Sequence, residues 1–194
     1  MRHMYGLSRI FMRLFTRVLF RVRAVGLDRI PAAGPVLICS NHVSNWDPPV
    51  LGCLIERKLT FMAKEELFRF APLAALLRAY GAFPVRRGTG DRGALRAALQ
   101  ILGEARVLVM FPQGHRQSGG AALQLERGAG FIAARSKAAV VPAVIAGPYR
   151  LFRPVTVFFG EPFYLAGETA DAASATAAIA EHLQALAKAA REGE

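Results

Sequence analysis

Apolar positions along this chain follow two periods in turn. Over residues 7 to 22, Leu7, Ile10, Phe11, Leu14, Phe15, Val18, Leu19 and Val22 recur at i, i+3, i+4, i+7 spacing, the signature of one helix face. At about 100° per residue they cover roughly half the helix circumference. Arg9, Arg13, Arg17 and Arg21 run along the flank at four-residue steps. A wide apolar face edged by arginine suits a helix lying in the headgroup region of a bilayer. It suits equally a surface helix packed on its own domain, because both need the same pattern.

Beyond residue 30 the period switches to short apolar runs separated by helical stretches. Val36 to Ser40, Leu59 to Ala63, Ala82 to Val85, Val107 to Phe111, Ala139 to Ile145 and Val155 to Phe159 read as strands. Between them, Pro48 to Arg57 reads as a short helix, and Leu67 to Tyr80 as a helix that Pro72 must begin or bend. Asp91 to Gly103 is a helix with Asp91 as its cap, and Gly128 to Lys137 is helical despite its glycines. The Ala-rich tail from about Ser174 places Ile179, Leu183 and Leu186 at helical spacing. Such alternation predicts an α/β fold with a mostly parallel central sheet flanked by helices.

Composition narrows the class. At 194 residues the chain fits one domain, and 53% hydrophobic with 20% charged residues suits a globular core. Mean hydropathy is +0.28, yet the longest uncharged apolar stretch, Ala138 to Pro148, holds two prolines. It is also well short of the roughly 18 residues a spanning helix needs. No small-residue cleavage site follows an apolar core near the start. The formal net charge is +11, and residues 1 to 30 carry seven arginines against one acid, Asp28. Anionic headgroups, nucleic acid or phosphorylated substrates would all be drawn to such a surface. Cys39 and Cys53 lack metal-pair spacing and sit among apolar residues, as reduced core thiols of a cytoplasmic protein do.

In α/β sheets ligands collect at the carboxyl edge of the strands. Four polar clusters follow strands here: Asn41-His42 through Asp47, Lys64-Glu65, Arg86-Arg87, and Phe111 to Gly120. Only the first joins a histidine to a nearby carboxylate; the others offer mostly cations and backbone donors. That division suits a base acting on a substrate hydroxyl beside a cradle for phosphate. His42 and Asp47 would diverge by about 140° on a straight helix, but a turn brings the carboxylate to one imidazole nitrogen. Pro48 and Pro49 disfavour helical geometry at Asp47 and so favour the turn. The plainer alternative has Asp47 capping the next helix and His42 bonded to a backbone carbonyl. Ser40 and Ser44 are near, but neither lies in a nucleophile elbow. A G-x-G-x-x-G pattern at Gly88 to Gly93 is a weak signal for a nucleotide, since no acid ends the following strand.

These residues carry a resemblance to the lysophospholipid (1-acylglycerol-3-phosphate) acyltransferase family. "NHVSNWD" is similar to its N-H-x-x-x-x-D block, "AKEEL" to its lysine-containing stretch and "GAFPVRRG" to its arginine block. "FPQGHRQSGG" resembles its F-P-E-G-T-R-S block, and "VVPAVI" its final apolar-proline block. The resemblance implies that His42 is the general base and Asp47 its orienting carboxylate, acting without a covalent enzyme intermediate. It implies that Lys64, Arg87 and Arg116 hold the acceptor phosphate, and that Gln113 and Gly114 line the glycerol part of the site. Gln113 stands where the family commonly has glutamate, His115 where it has a small hydroxyl residue, and Arg86 where an aspartate often precedes the arginine.

The activity implied is transfer of a fatty acyl group from acyl-CoA or acyl-carrier protein to lysophosphatidic acid, giving phosphatidic acid for phospholipid biosynthesis. Another lysophospholipid or a lyso-aminolipid as acceptor is the alternative reading. The thioester is a co-substrate, and no cofactor is expected. A lipid acceptor also favours the interfacial reading of residues 1–30 as a membrane-associating segment ahead of an acyltransferase domain at 31–194. That places the protein at the cytoplasmic face of the inner membrane, as a peripheral or monotopic protein on anionic lipids. A basic binding module for nucleic acid fits less well, because aromatic residues are not interleaved with the basic ones. A metal site fits poorly too, since the four histidines lack ligand spacing.

Overall fold

Val36–Ser40 is fully buried along its whole length, which is why this strand reads as an unbroken apolar run rather than as an alternation. It is the centre of the computed structural model, which describes residues 12–86, 91–114, 125–165 and 171–192. In chain order the elements are helix α1 (12–19), β1 (Arg23–Val25), β2 (Val36–Ser40), α2 (Asp47–Leu54), β3 (Leu59–Lys64), α3 (Ala71–Ala79), β4 (Ala82–Val85), α4 (Arg92–Gly103), β5 (Val107–Met110), α5 (Arg127–Ser136), β6 (Ala139–Ala146), β7 (Thr156–Phe159) and α6 (Ala172–Glu192). The strands form one seven-stranded sheet in the order β1-β7-β6-β2-β5-β3-β4. β6, β2, β5, β3 and β4 are mutually parallel. β7 joins β6 antiparallel, and β1 joins β7 in parallel. The sheet is therefore mostly parallel, with two strands reversed at one edge.

Alternating side chains of the buried strands feed two cores. Val36, Ile38, Val107, Val109, Val141 and Ala143 face one side, with Val50 and Leu51 of α2 and with Phe20. Leu37, Cys39, Leu108, Met110 and Val140 face the other, under Ile101 and Leu102 of α4, Ile132 of α5 and Ile179 and Leu183 of α6. Both cysteines are free and buried, and burial pushes the Cys39 thiol up to about 12. It stays protonated near neutral pH and is a poor nucleophile.

The structure corrects several boundaries. The first helix ends at residue 19, not 22, because Arg21 takes a left-handed φ of 45°; residues 7–11 lie outside the described residues. Phe20 and Val22 then turn into the core, and β1, too short to show a period, ties the end of the 1–30 segment to β7. The stretch expected as one helix over 67–80 is a 3-10 turn at Glu65–Phe68 followed by α3, with Pro72 in its first turn, where a missing N–H costs nothing. α2 stops at Leu54. The tail helix begins earlier than Ser174, since Asp171 Oδ1 accepts from the amides of Ala173 and Ser174. Asp91 caps α4 in the same way, through Gly93 and Ala94, as expected from sequence.

Two local contacts hold this arrangement where pairing alone would lapse. Immediately after β2, Asn41 Nδ2 donates to the Ile145 carbonyl (3.0 Å), and Asn41 Oδ1 accepts from the Ile145 amide (2.7 Å). The side-chain amide thus imitates one more residue of β2–β6 pairing while freeing the backbone to turn. Asn41→Ala leaves both Ile145 groups without these partners, and should lower unfolding free energy by about 1–3 kcal/mol in denaturant titration. Between α5 and α6, Gly130 lies against the Ala172 carbonyl and Thr176, and a Cβ there would overlap both. Gly130→Ala should therefore destabilise the protein by roughly 2–3 kcal/mol despite alanine's better helix propensity, read as a lowered urea midpoint.

Candidate active site

The loop that leaves β2 at Asn41 must return to start α2 at Asp47, and its polar groups meet on one oxygen. Asp47 Oδ2 accepts from His42 Nδ1 at 2.7 Å and from the backbone amides of Val43 and Ser44 at 2.8 Å each. Asp47 is completely buried and His42 nearly so. The carboxylate turns back toward the loop; no side chain caps α2. The plainer geometry, with Asp47 as a helix cap and His42 on a carbonyl, is therefore not the one adopted. One detail differs from expectation: Asp47 is the first residue of α2 rather than standing outside it, with Pro48 and Pro49 following in the first helical turn.

With Nδ1 committed to Asp47, Nε2 is the imidazole nitrogen left for an external proton. The His42 ring stacks on Phe111, with centroids 4.3 Å apart and planes inclined by 23°. The His42 backbone amide donates to Gln113 Oε1 at 3.2 Å. Pairing with the carboxylate fixes the ring's rotation, stacking fixes its plane, and the Gln113 bond fixes its main chain. These three contacts come from α2, from the residue after β5, and from the turn beyond it.

That turn is closed by the Gly114 amide donating to the Phe111 carbonyl at 3.0 Å. Gly114 has φ of 70°, a conformation in which glycine carries no Cβ penalty. Gln113 is buried beside His42; sequence reading placed it on the acceptor and did not foresee its bond to the histidine backbone. Phe111 and Asn41 were likewise given no role as supports. Each closes or follows a strand, and a polar residue followed by a histidine after an apolar run is the signal that marked the cluster.

Lys64 ends β3 at the same sheet edge, in register with Val85 of β4. From β2 it lies two strands away, about 10 Å laterally at strand spacing. Its ammonium is half exposed and sits 3.5 Å from Glu66 Oε1. Arg86, at the end of β4, forks onto Glu65 through Nε (2.7 Å) and an Nη (3.2 Å). That bonded carboxylate raises the arginine's affinity for its proton. Arg87, His115 and Arg116 lie outside the described residues, as does the first half of the glycine-rich pattern at 88–93. Among the described residues, no group of three histidine, cysteine or acidic side chains could hold a metal ion.

Known proteins are similar to this chain in sequence and in fold. The family model described as Acyltransferase matches residues 21–146, from β1 through the end of β6. A 1-acyl-sn-glycerol-3-phosphate acyltransferase of Bacillus subtilis (strain 168) is 32% identical over 152 residues, covering 75% of this chain and 75% of that protein. A lyso-ornithine lipid O-acyltransferase of Pseudomonas aeruginosa is 38% identical over 109 residues, covering 55% of this chain and 40% of the relative. The crystal structure of the 1-acyl-sn-glycerophosphate (LPA) acyltransferase PlsC from Thermotoga maritima superposes with a TM-score of 0.73 at 23% identity, covering 95% of this chain and 80% of that one. It supports the fold. With the family model spanning well over half of its length, the chain belongs to the Acyltransferase family.

Proposed function

We propose that this protein transfers a fatty acyl group from an acyl thioester to the free hydroxyl of lysophosphatidic acid, giving phosphatidic acid. The observation that carries the reading is the buried 2.7 Å contact between Asp47 Oδ2 and His42 Nδ1 in a chain of this family. His42 Nε2 takes the proton of the acceptor hydroxyl, whose oxygen attacks the thioester carbonyl carbon. The C–S bond breaks, and the thiolate leaves with the proton that the imidazolium returns. Asp47 holds the ring's orientation and offsets the charge that forms on it. The attack is direct: Cys39 is buried and held protonated. Lys64, together with Arg87 and Arg116, supplies the cations for the acceptor phosphate, and the Gln113–Gly114 turn lies alongside the glycerol. The donor is acyl-CoA or acyl-carrier protein, and no other cofactor takes part.

A lyso-aminolipid acceptor is the second reading. It is favoured by the likeness to the lyso-ornithine lipid enzyme and by the neutral amide of Gln113 beside the base.

The protein works at a membrane surface in this reading. Leu14 and Val18 of α1 are 64% and 59% exposed, with Arg13 and Arg17 exposed beside them. The loop after β6 adds Leu151 and Phe152, also exposed, and it adjoins α1 through the Phe152 amide, which donates to the Leu19 carbonyl at 2.8 Å. Phe152 is held at a left-handed φ of 60°, costly for an aromatic residue and understandable where its ring serves a surface. Among the described residues no helix is long and apolar enough to cross a membrane. In this reading the patch lies in the headgroup layer of the cytoplasmic leaflet, its arginines drawn to anionic lipid. Residues 1–30 then supply the docking segment, whose end β1 ties into the sheet, and 31–194 form the catalytic domain.

A panel of lyso-lipid acceptors crossed with acyl-CoA and acyl-carrier-protein donors tests the chemistry. Lysophosphatidic acid should give the highest kcat/KM, and His42→Ala should lower kcat by at least about 10³-fold while circular dichroism stays native. Retained turnover in that variant would exclude His42 as the base. Replacing Leu14 and Val18 together by glutamate should weaken sedimentation with anionic vesicles by tenfold or more, on the order of the apolar burial lost. Soluble-acceptor turnover should survive the change.

A further inference from the structure

Asp47 Oδ2 is saturated by three N–H donors, and its other oxygen is not. Asp47 Oδ1 is buried away from water and has no partner in hydrogen-bond geometry; the same holds for the Tyr149 hydroxyl. One is an acceptor and the other a donor. Buried polar groups are nearly always paired, and one bond here would remove two desolvation penalties at once.

The chain places them side by side for reasons visible along it. Gly147, at φ of 100°, turns the chain out of β6 so tightly that a Cβ there would press on the Pro154 carbonyl. Tyr149, two residues on, packs its ring into the core beneath α2. Phe20 meets the Tyr149 ring edge-on, 5.3 Å between centroids at 88°, and meets Trp46 at 5.3 Å and 62°. Trp46 immediately precedes Asp47. The Tyr149 phenol is pushed well above its usual range, first by burial and then by Asp47, through its charge and as an acceptor for the hydroxyl. The Phe20–Trp46–Tyr149 packing sets the phenol beside the residue that leads into Asp47, with neither orphaned atom aligned in a finished bond.

We propose that Tyr149 is a positioning residue for the His42–Asp47 pair, its hydroxyl donating to Asp47 Oδ1 in the working enzyme. With both oxygens held, the carboxylate plane no longer rotates about its Cβ–Cγ bond, and Oδ2 stays directed at Nδ1. Loop amides alone hold one oxygen and leave that rotation open. Tyr149 touches no substrate in this arrangement and acts only through Asp47. The inference rests on the reading of His42 and Asp47 as base and orienting carboxylate.

Tyr149→Phe deletes the hydroxyl and keeps the ring. It should lower kcat roughly tenfold, the scale of one hydrogen bond to a charged group, with KM for both substrates and the thermal midpoint nearly unchanged. A second measurement needs no turnover: with tyrosine labelled by ¹³C at Cζ and Tyr149 assigned by its absence in Tyr149→Phe, Asp47→Asn should move the Tyr149 resonance and leave the other tyrosines in place. An unaffected kcat in Tyr149→Phe, or a Tyr149 resonance indifferent to Asp47→Asn, would overturn the proposal. His42→Ala in the same assay separates the two levels. If it is inactive while Tyr149→Phe is normal, only the positioning role fails; if it is active, the base reading fails and this inference with it.

Discussion

A single buried carboxylate oxygen, Asp47 Oδ2, gathers the imidazole and two backbone amides, and the geometry at this end of the sheet follows from that convergence. Desolvating a carboxylate costs several kcal/mol unless hydrogen bonds replace its hydration. The loop from Asn41 to Asp47 is shaped to supply them. Amides of Val43 and Ser44 point inward because the chain must reverse between β2 and α2, and the helix start adds a partial positive charge on the same side. Two of the three donors on Asp47 Oδ2 are therefore backbone amides, which no point substitution removes directly.

The convergence needs a rigid platform on either side. Asn41 lashes the start of the loop to β6 by two bonds, and Phe111 with Gln113, just beyond β5, holds the imidazole from the other flank. β2 lies between β6 and β5 in the sheet, so His42 stands at the centre of the carboxyl edge, with supports on both neighbouring strands. The cationic ends of β3 and β4 lie progressively further along the same edge. The main chains there stand about two and three strand spacings from β2, roughly 10–15 Å, so a phosphate held near the His42 ring would depend on long cationic side chains reaching back along the edge.

Much of this was legible in the chain because parallel buried strands write themselves as unbroken apolar runs: β2, β3, β4 and β5 begin where their first apolar residue stands. Capping chemistry marked Asp91 equally plainly. What periodicity could not show was anything three residues long or decided by tertiary contact. β1 exists because β7 offers it an edge, and α1 ends at residue 19 because Phe20 is claimed by Trp46 and Tyr149. The His42–Asp47 spacing left two geometries open, since five residues can make either a cap or a return loop. The choice depends on amides whose direction no side-chain pattern encodes. The supporting roles of Gln113 and Asn41 were hidden for the same reason: each acts on backbone atoms of a distant segment, 71 and 104 residues away.

The aromatic contacts link the proposed docking helix to the chemistry by a short physical path. Phe15 on α1 lies 6.0 Å from Trp46, Phe20 touches both Trp46 and Tyr149, and Trp46 leads directly into Asp47. A helix seated in headgroups would thus rest on the residues that surround the orienting carboxylate. The path runs through ring contacts from Phe15 and Phe20 to the residue before Asp47, so the distance of α1 from the sheet is tied to the packing beside the carboxylate. For a substrate whose acyl chain stays in the bilayer while its hydroxyl must reach Nε2, that distance from the surface is the coordinate that has to be held. In the proposed docking, that distance would be set by the same rings that pack against Trp46, the residue before Asp47.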